Sequence, residues 1–148
     1  MKWELVIPGD PVPWTGARKL GSAPNAPRRM PGRQERHAGL IRQCWEERYG
    51  GEGIWLEKGR PIRLVGHFYI TRPRTTQYGS GRNERVLKPQ APRMPTGTPD
   101  LSNLLKMVED ALTKTLWQDD DQVVELGGWK RYVDWWEPSR SIVTVMAL

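Results

Sequence analysis

A chain of 148 residues is long enough for one domain with a single hydrophobic core. No segment approaches the ~20 apolar residues of a membrane span, and the single cysteine, Cys44, excludes an internal disulfide and a cysteine-based metal cluster. The N-terminal stretch, MKWELVIPGD, contains no apolar run like that of a signal peptide, so we expect a cytoplasmic protein without a membrane partner.

The net charge of +6 is unevenly distributed along the chain. Residues 1–99 contain 18 Lys and Arg against 8 Asp and Glu, whereas residues 100–148 contain 5 against 9. A basic first part followed by an acidic last part indicates a polyanion-binding surface beside a carboxylate site. The alternative, basic residues that only keep the protein soluble, fits the composition equally well, and it is the placement of the charges that favours the first interpretation.

Alternation of polar and apolar residues predicts a first strand over residues 2–7 and a longer one over residues 61–72. Apolar residues at three- and four-residue spacing predict a helix from about Arg33 to Tyr49. Two further strands are expected in QVVELGGWKRYV, where the paired glycines mark a bulge or a hairpin turn, and in SIVTVMAL. Together with the central helix described below, these elements predict a single-domain α+β fold, with a small mixed sheet of about four strands and two main helices.

Two proline-rich segments, about residues 11–34 and 73–99, are predicted to be surface loops that contact a nucleic-acid backbone. The first contains no acidic residue and the second only Glu84. A flexible, solvated segment is the alternative for loops of this length, and the near absence of acids favours the contact role. The candidate DNA-binding residues are Arg18, Lys19, Arg28, Arg29 and Arg33 in the first segment and Arg74, Arg82, Arg85, Lys88 and Arg93 in the second.

The stretch PDLSNLLKMVEDALTKTLWQDDDQVV, residues 99–124, places carboxylates on both sides of an amphipathic helix. Asp100 precedes the helix, which is predicted to run from Asn103 to Leu116, and Asp119, Asp120 and Asp121 follow it. Mg²⁺ held by carboxylates activates water near neutral pH and stabilises charge on a phosphate. These are the two requirements of phosphodiester cleavage, so the stretch is a candidate metal site.

The polar face of the same helix carries three residues at three- and four-residue spacing, Asn103, Lys106 and Asp110. The Lys106 ammonium is placed to neutralise charge that grows on a scissile phosphate, and Asn103 to orient a water or a carboxylate. Each residue also has a purely structural interpretation: Asp100 as an N-terminal helix residue, Lys106 and Asp110 as a surface pair, the aspartates as a turn. Taken singly the structural roles are favoured, and the combination with two basic segments favours the metal site.

Residues 98–126, TPDLSNLLKMVEDALTKTLWQDDDQVVEL, resemble the signature of the RusA family of Holliday junction resolvases. That signature reads Asp-x-Asp-Asn-Leu-x-Lys, then Asp-Ala-Leu, then Asp-Asp-x-Gln-Val-Val. The resemblance implies a small α+β fold, a homodimer, and Mg²⁺-dependent cleavage of Holliday junctions or other branched DNA, with Mn²⁺ as a substitute ion. By position, Asp100 and Asp120 match the first and last catalytic aspartates and Lys106 the catalytic lysine, while Asn103 and Asp119 match further motif positions.

One position departs from the family pattern, because Ser102 stands where the second aspartate is expected. A hydroxyl is neutral and is a weaker Mg²⁺ ligand than a carboxylate. Three outcomes follow: Asp121 or Asp119 supplies the missing charge, the site uses one metal, or the protein binds branched DNA and cleaves it poorly. The first two are favoured because the other motif residues are retained. A different class, an RNA-binding or protein-interaction module in which the aspartates form only a turn, is a further alternative.

The spacing of the two motif aspartates predicts a site shared between subunits. A straight helix from Asn103 to Leu116 spans about 21 Å, which puts Asp100 and Asp120 near its opposite ends. Two ligands of one Mg²⁺ must each lie ~2.1 Å from it. We therefore expect Asp100 of one subunit to meet Asp120 of a second copy across a two-fold axis, giving two sites per homodimer.

Overall fold

The computed structural model describes residues 1–16, 18–19 and 21–148, except for the side chains of Arg18 and Arg29. It contains a four-stranded mixed sheet, a two-stranded hairpin and two main helices, which confirms the predicted α+β class. The strands are β1 Lys2–Pro8, β2 Arg18–Lys19, β3 Arg28–Arg29, β4 Ile62–Ile70, β5 Val123–Tyr132 and β6 Arg140–Ala147, and the helices are α1 Gly32–Tyr49, α2 Arg74–Gln77 and α3 Leu101–Leu112.

The main sheet has the strand order β1-β6-β4-β5. Strand β6 pairs antiparallel with both β1 and β4, whereas β4 and β5 run parallel. The parallel pair is possible because α3 lies in the long connection between β4 and β5. Strand β5 is therefore an edge strand, and it begins one residue after the three aspartates.

The core lies between one face of this sheet and the two main helices. Alternate residues of β1 and β4 point into it, and the apolar stripe of α3 covers them, as the periodicities predict. No helix among the described residues is long and apolar enough to cross a membrane. The largest fully buried side chains include Trp117, Phe68, Ile7, Ile41, Ile62, Leu64, Leu104 and Met107.

Helix α3 begins earlier and ends earlier than its periodicity predicts. Its last residue is Leu112, and Thr113 leaves the helical conformation while its hydroxyl donates to the Glu109 carbonyl at 2.8 Å. Lys114 then adopts a left-handed φ of 67°, and the turn buries Trp117, whose indole N–H donates to the Thr113 hydroxyl at 3.1 Å. Leu116 is buried by this turn and not by the helix. The apolar pattern of the sequence therefore continues beyond the last residue of α3.

The two basic segments are not structureless loops. Segment 11–34 contains the β2–β3 hairpin and the first turn of α1, and the buried Gln34 accepts a hydrogen bond from the Thr15 N–H at 2.7 Å and donates to the Gly16 carbonyl at 3.3 Å. Segment 73–99 contains α2, and the Arg72 guanidinium donates to the Pro92 carbonyl at 2.7 Å. Both segments are therefore attached to the domain by polar side chains.

The paired glycines of β5 mark neither a hairpin turn nor a bulge, because the strand is continuous from Val123 to Tyr132 and the irregularity in its pairing lies at Ile62/Arg63. Gly128 is needed for close approach: a Cβ there would overlap the carbonyl oxygen of Gly66, its partner on β4, and its φ is 158°.

We expect Gly128→Ala to lower the free energy of unfolding by about 3 kcal/mol or more, because the added methyl group pushes apart two paired strands. Gly127→Ala is the matched control, since a Cβ at Gly127 meets no atom within 4 Å. Urea denaturation of both variants measures the difference. Equal stability of the two variants would contradict the predicted overlap.

Candidate active site

Asp100 occupies the N-cap position of α3 but does not cap the helix. Its φ and ψ are −71° and 138°, yet its carboxylate makes no capping hydrogen bond, and we find no ion pair or other hydrogen bond to it from the described residues. An N-cap aspartate usually accepts a bond from the first helical turn. The exposed carboxylate of Asp100 is thus available to an external partner such as a cation.

The chain just before Asp100 is held in place by β5. The Lys130 ammonium donates to the carbonyls of Pro99 and Gly97, the first at 2.7 Å. Ser102 and Asn103 follow in the first turn, and Ser102 is exposed. The backbone carbonyl of Asn103 accepts a hydrogen bond from the backbone N–H of Trp14 at 2.9 Å. The first basic segment is therefore joined to the start of α3.

Lys106 lies on the polar face of α3, between an acid and an aromatic ring. Its ammonium is 3.4 Å from a carboxylate oxygen of Asp110 and 5.0 Å from the centre of the Trp14 ring. The pair with Asp110 is half-exposed and contributes little stability. The cation–π contact adds a second restraint on the ammonium. Trp14 was not predicted to belong to this site. The only feature of the sequence that points to it is its position as a lone aromatic residue in a segment without acids.

Glu109 was not predicted as a site residue, and it connects α3 electrostatically to the aspartates. Burial raises the pKa of its carboxyl, Lys106 opposes this shift, and the neighbouring charges of Asp120 and Asp110 raise it further. The signal in the sequence was the three-residue spacing from Lys106, which puts Glu109 on the same face.

The three consecutive aspartates do not form one ligand set. Asp119 pairs with Lys114 at 3.3 Å and with Lys58 at 3.9 Å, and it takes part in a capping box with Gln122. Asp121 and Asp119 line a cleft with Lys58. Asp120, by contrast, is exposed, and we find no hydrogen bond or ion pair to its carboxylate from the described residues.

The predicted carboxylates are separated along α3. Asp100 immediately precedes the first residue of α3, and Asp120 comes eight residues after its last residue, Leu112. Within the described part of the chain there is no group of three or more His, Cys, Asp or Glu side chains that could hold a metal. Free, exposed carboxylates are the donor type that Mg²⁺ prefers, so the chemistry of Asp100 and Asp120 fits this ion.

The predicted DNA-binding residues whose side chains are described lie at the surface. Lys88 is half-buried and the others are exposed, whereas the side chains of Arg18 and Arg29 lie outside the described residues. Arg33 lines a cleft with Asp10, Thr71 and Pro99, which places a guanidinium beside the residue that precedes Asp100. The exposed members are Lys19, Arg28, Arg33, Arg74, Arg82, Arg85 and Arg93.

Comparison with known protein families assigns the chain to a family. The family model for "Endodeoxyribonuclease RusA" matches residues 8–145 of the 148-residue chain, a range that includes both basic segments and every predicted site residue. No curated protein matches the chain. Because the match extends over nearly the whole chain, the protein belongs to the RusA endodeoxyribonuclease family.

Proposed function

We propose that this chain is a Mg²⁺-dependent, structure-selective endodeoxyribonuclease of the cytoplasm that cleaves Holliday junctions or other branched DNA by phosphodiester hydrolysis. The observation that supports it most is the N-cap aspartate that does not cap: Asp100 presents a free carboxylate at the start of the helix that carries Lys106. Family membership supplies the reaction class, and the two basic segments supply cations for a DNA backbone.

Asp100 and Asp120 are the residues that would hold the metal, with Mn²⁺ as a substitute for Mg²⁺. When bound, the ion supplies an activated water and stabilises charge on the phosphate. Asp119 is already engaged by two lysines, and Asp121 shares its cleft, so neither side chain is placed to replace the carboxylate missing at Ser102. Of the three outcomes open for Ser102, we therefore propose a site that uses one metal.

Lys106 would act on the substrate directly. Its ammonium is held at one face of α3 by Trp14 and Asp110, so that it contacts a phosphate oxygen without first having to be ordered. Charge that grows on that oxygen during attack is then met by a fixed cation. Trp14 positions the ammonium and does not itself contact the reacting atoms.

The active site would be shared between two copies of the chain. Asp100 precedes α3 and Asp120 follows it, so the helix separates the two carboxylates along the chain, and a two-fold axis would bring Asp100 of one copy to Asp120 of the other. The homodimer then contains two equivalent sites. Two sites related by a two-fold axis suit paired cuts in a junction of the same symmetry.

The basic segments would recognise the shape of the DNA rather than its base sequence. Their exposed Arg and Lys side chains are placed to contact phosphates, which are identical along any strand. Binding should accordingly weaken steeply as salt is added, because each neutralised phosphate releases counterions.

A second function is favoured by one observation, the serine at position 102. A RusA-like protein without its second acid can bind branched DNA and cleave it poorly or not at all. Ser102 is exposed in the first turn of α3, so Ser102→Asp restores the family's carboxylate without disturbing the core.

The experiment is cleavage of a synthetic four-way junction by the wild type and by Ser102→Asp, in Mg²⁺, in Mn²⁺ and in EDTA. We expect metal-dependent paired nicks by the wild type, and no cleavage of a linear duplex of the same length. Tight junction binding without cleavage, rescued by Ser102→Asp, would establish the binding-only alternative instead. Preference for RNA over junction DNA in competition would exclude both.

A further inference from the structure

The connection between β5 and β6 carries two adjacent tryptophans that play no part in the proposed chemistry. Trp136 is 79% exposed, as exposed as Met1, and no ring contact to it is found within the described residues. Trp135 is partly buried beneath a cation: the Arg74 guanidinium carbon lies 4.3 Å from the centre of its ring. An exposed indole ring is open to a ligand, and the groups that surround it decide which ligand it suits.

The side chains around Trp135 are aromatic and basic. The buried Tyr78 meets the Trp135 ring edge-on, with ring centres 5.0 Å apart. Arg85 approaches the same ring at 5.7 Å, and Lys88 lines a cleft of about 540 Å³ together with Arg74 and Trp135. The second basic segment thus holds three cations around one fixed indole.

Acidic groups also lie near the two tryptophans, but they do not cancel the positive charge of these cations. Glu84 lines the same cleft, Asp134 precedes Trp135, and Glu137 follows Trp136. Glu137 is paired with Arg140 at 3.6 Å, so its charge is compensated locally. Positive charge and an exposed aromatic surface therefore occur together, which is the combination that single-stranded nucleic acid recognises.

This surface is continuous with the start of the catalytic helix. One cleft joins Trp135 to Thr71 and Arg72, and a second joins Thr71 to Arg33 and Pro99, the residue before Asp100. A strand whose phosphates follow these clefts passes from the tryptophans to the N-terminal end of α3, where Asp100 lies.

We propose that Trp136 is a stacking platform for an unpaired nucleobase of branched DNA, with Arg74, Arg85 and Lys88 binding the phosphates on either side of that base. The inference rests on the proposed function, because it requires DNA to lie along the second basic segment. Duplex bases are already stacked on their neighbours and cannot use the platform, whereas bases freed at a branch point can. Trp136 would thus favour branched over continuous DNA.

The test compares the full-length wild type with Trp136→Ala, Trp136→Phe and Trp55→Ala. Trp55 is also a solvent-exposed tryptophan, 47% exposed, and none of the cation–π contacts of the described residues involves it, so it is the matched control. The probes are an oligothymidylate of about 15 nucleotides and a blunt duplex of equal length, titrated at one fixed salt concentration.

We expect Trp136→Ala to bind the oligothymidylate about tenfold more weakly and to bind the duplex as the wild type does. Trp136→Phe should recover most of the loss, and Trp55→Ala should change neither probe. Wild-type affinity of Trp136→Ala for the oligothymidylate, or an equal loss on both probes, would overturn the stacking role while junction cleavage by the wild type still upheld the nuclease. A wild type that binds neither probe nor a junction would overturn both proposals.

Discussion

Replacement of Asp120 by asparagine is expected to abolish junction cleavage while leaving junction binding intact. The substitution keeps the shape of the side chain and removes one negative charge, so the predicted metal ligand is lost and the exposed surface is otherwise unchanged. We expect the nicking rate in Mg²⁺ to fall by at least about 100-fold, a barrier increase of ~2.7 kcal/mol. Single-turnover cleavage and a gel-shift titration on the same junction measure the two quantities.

The neighbouring Asp121→Asn is the matched control for this prediction. It removes the same charge from the same 3₁₀ turn, Asp120–Gln122, but Asp121 lines the cleft with Lys58, while the charge of Asp120 raises the pKa of Glu109. We expect its nicking rate to stay within about threefold of the wild type, less than one kcal/mol. Equal losses in the two variants would show that the net charge of the turn matters, and not the position of Asp120.

Lys106→Ala is expected to lower the nicking rate by about 100- to 1000-fold, because a fixed cation no longer meets the charge that grows on the phosphate. The variant should fold normally, since the pair it breaks with Asp110 is half-exposed. Junction affinity should change little, because one phosphate contact among many is lost.

Lys114→Ala provides the comparison for the lysine. Lys114 is an exposed cation just beyond the end of α3 and pairs with Asp119, so its removal changes the net charge of the chain by the same amount. It should cleave junctions at nearly the wild-type rate. A Lys106→Ala variant with wild-type nicking would remove this residue from the catalytic assignment.

Much of the fold could be predicted from periodicity because one face of each main element is buried. Strand β1 and strand β4 alternate as their sequences do, and α1 begins within one residue of the predicted start. The end of α3 could not be predicted, because Leu116 continues the apolar pattern through a turn that only the buried Trp117 explains. The role of Gly128 depends on a partner strand distant in sequence, which no local pattern indicates.

The candidate site was predictable as a set of motif residues but not as an arrangement. The motif identified Asp100, Lys106 and Asp120, and the structure adds that Asp119 is engaged by lysines and that the charge of Asp120 raises the pKa of Glu109. These relations arise from the turn after α3. The anchors of the basic segments were missed for a similar reason, since Gln34 and Arg72 act through hydrogen bonds to backbone carbonyls, which leave no signature in composition.

Cleavage by mixed dimers tests most directly the central claim, that Asp100 and Asp120 from different subunits form one active site. Asp100→Asn and Asp120→Asn are each expected to be inactive alone. In a mixed dimer of a shared-site enzyme, one site carries both substitutions and the other carries none. Random pairing of the two co-expressed variants makes about half of the dimers mixed, and each mixed dimer has one intact site out of two. We therefore expect about a quarter of the wild-type number of active sites, and these should make single nicks rather than paired cuts.

The contradicting result is equally clear. If each site were built within one subunit, every site in a mixed dimer would carry one substitution. The co-expressed variants would then remain as inactive as either variant alone, although both still bound the junction as dimers. That result would mean that Asp100 and Asp120 do not meet across a two-fold axis.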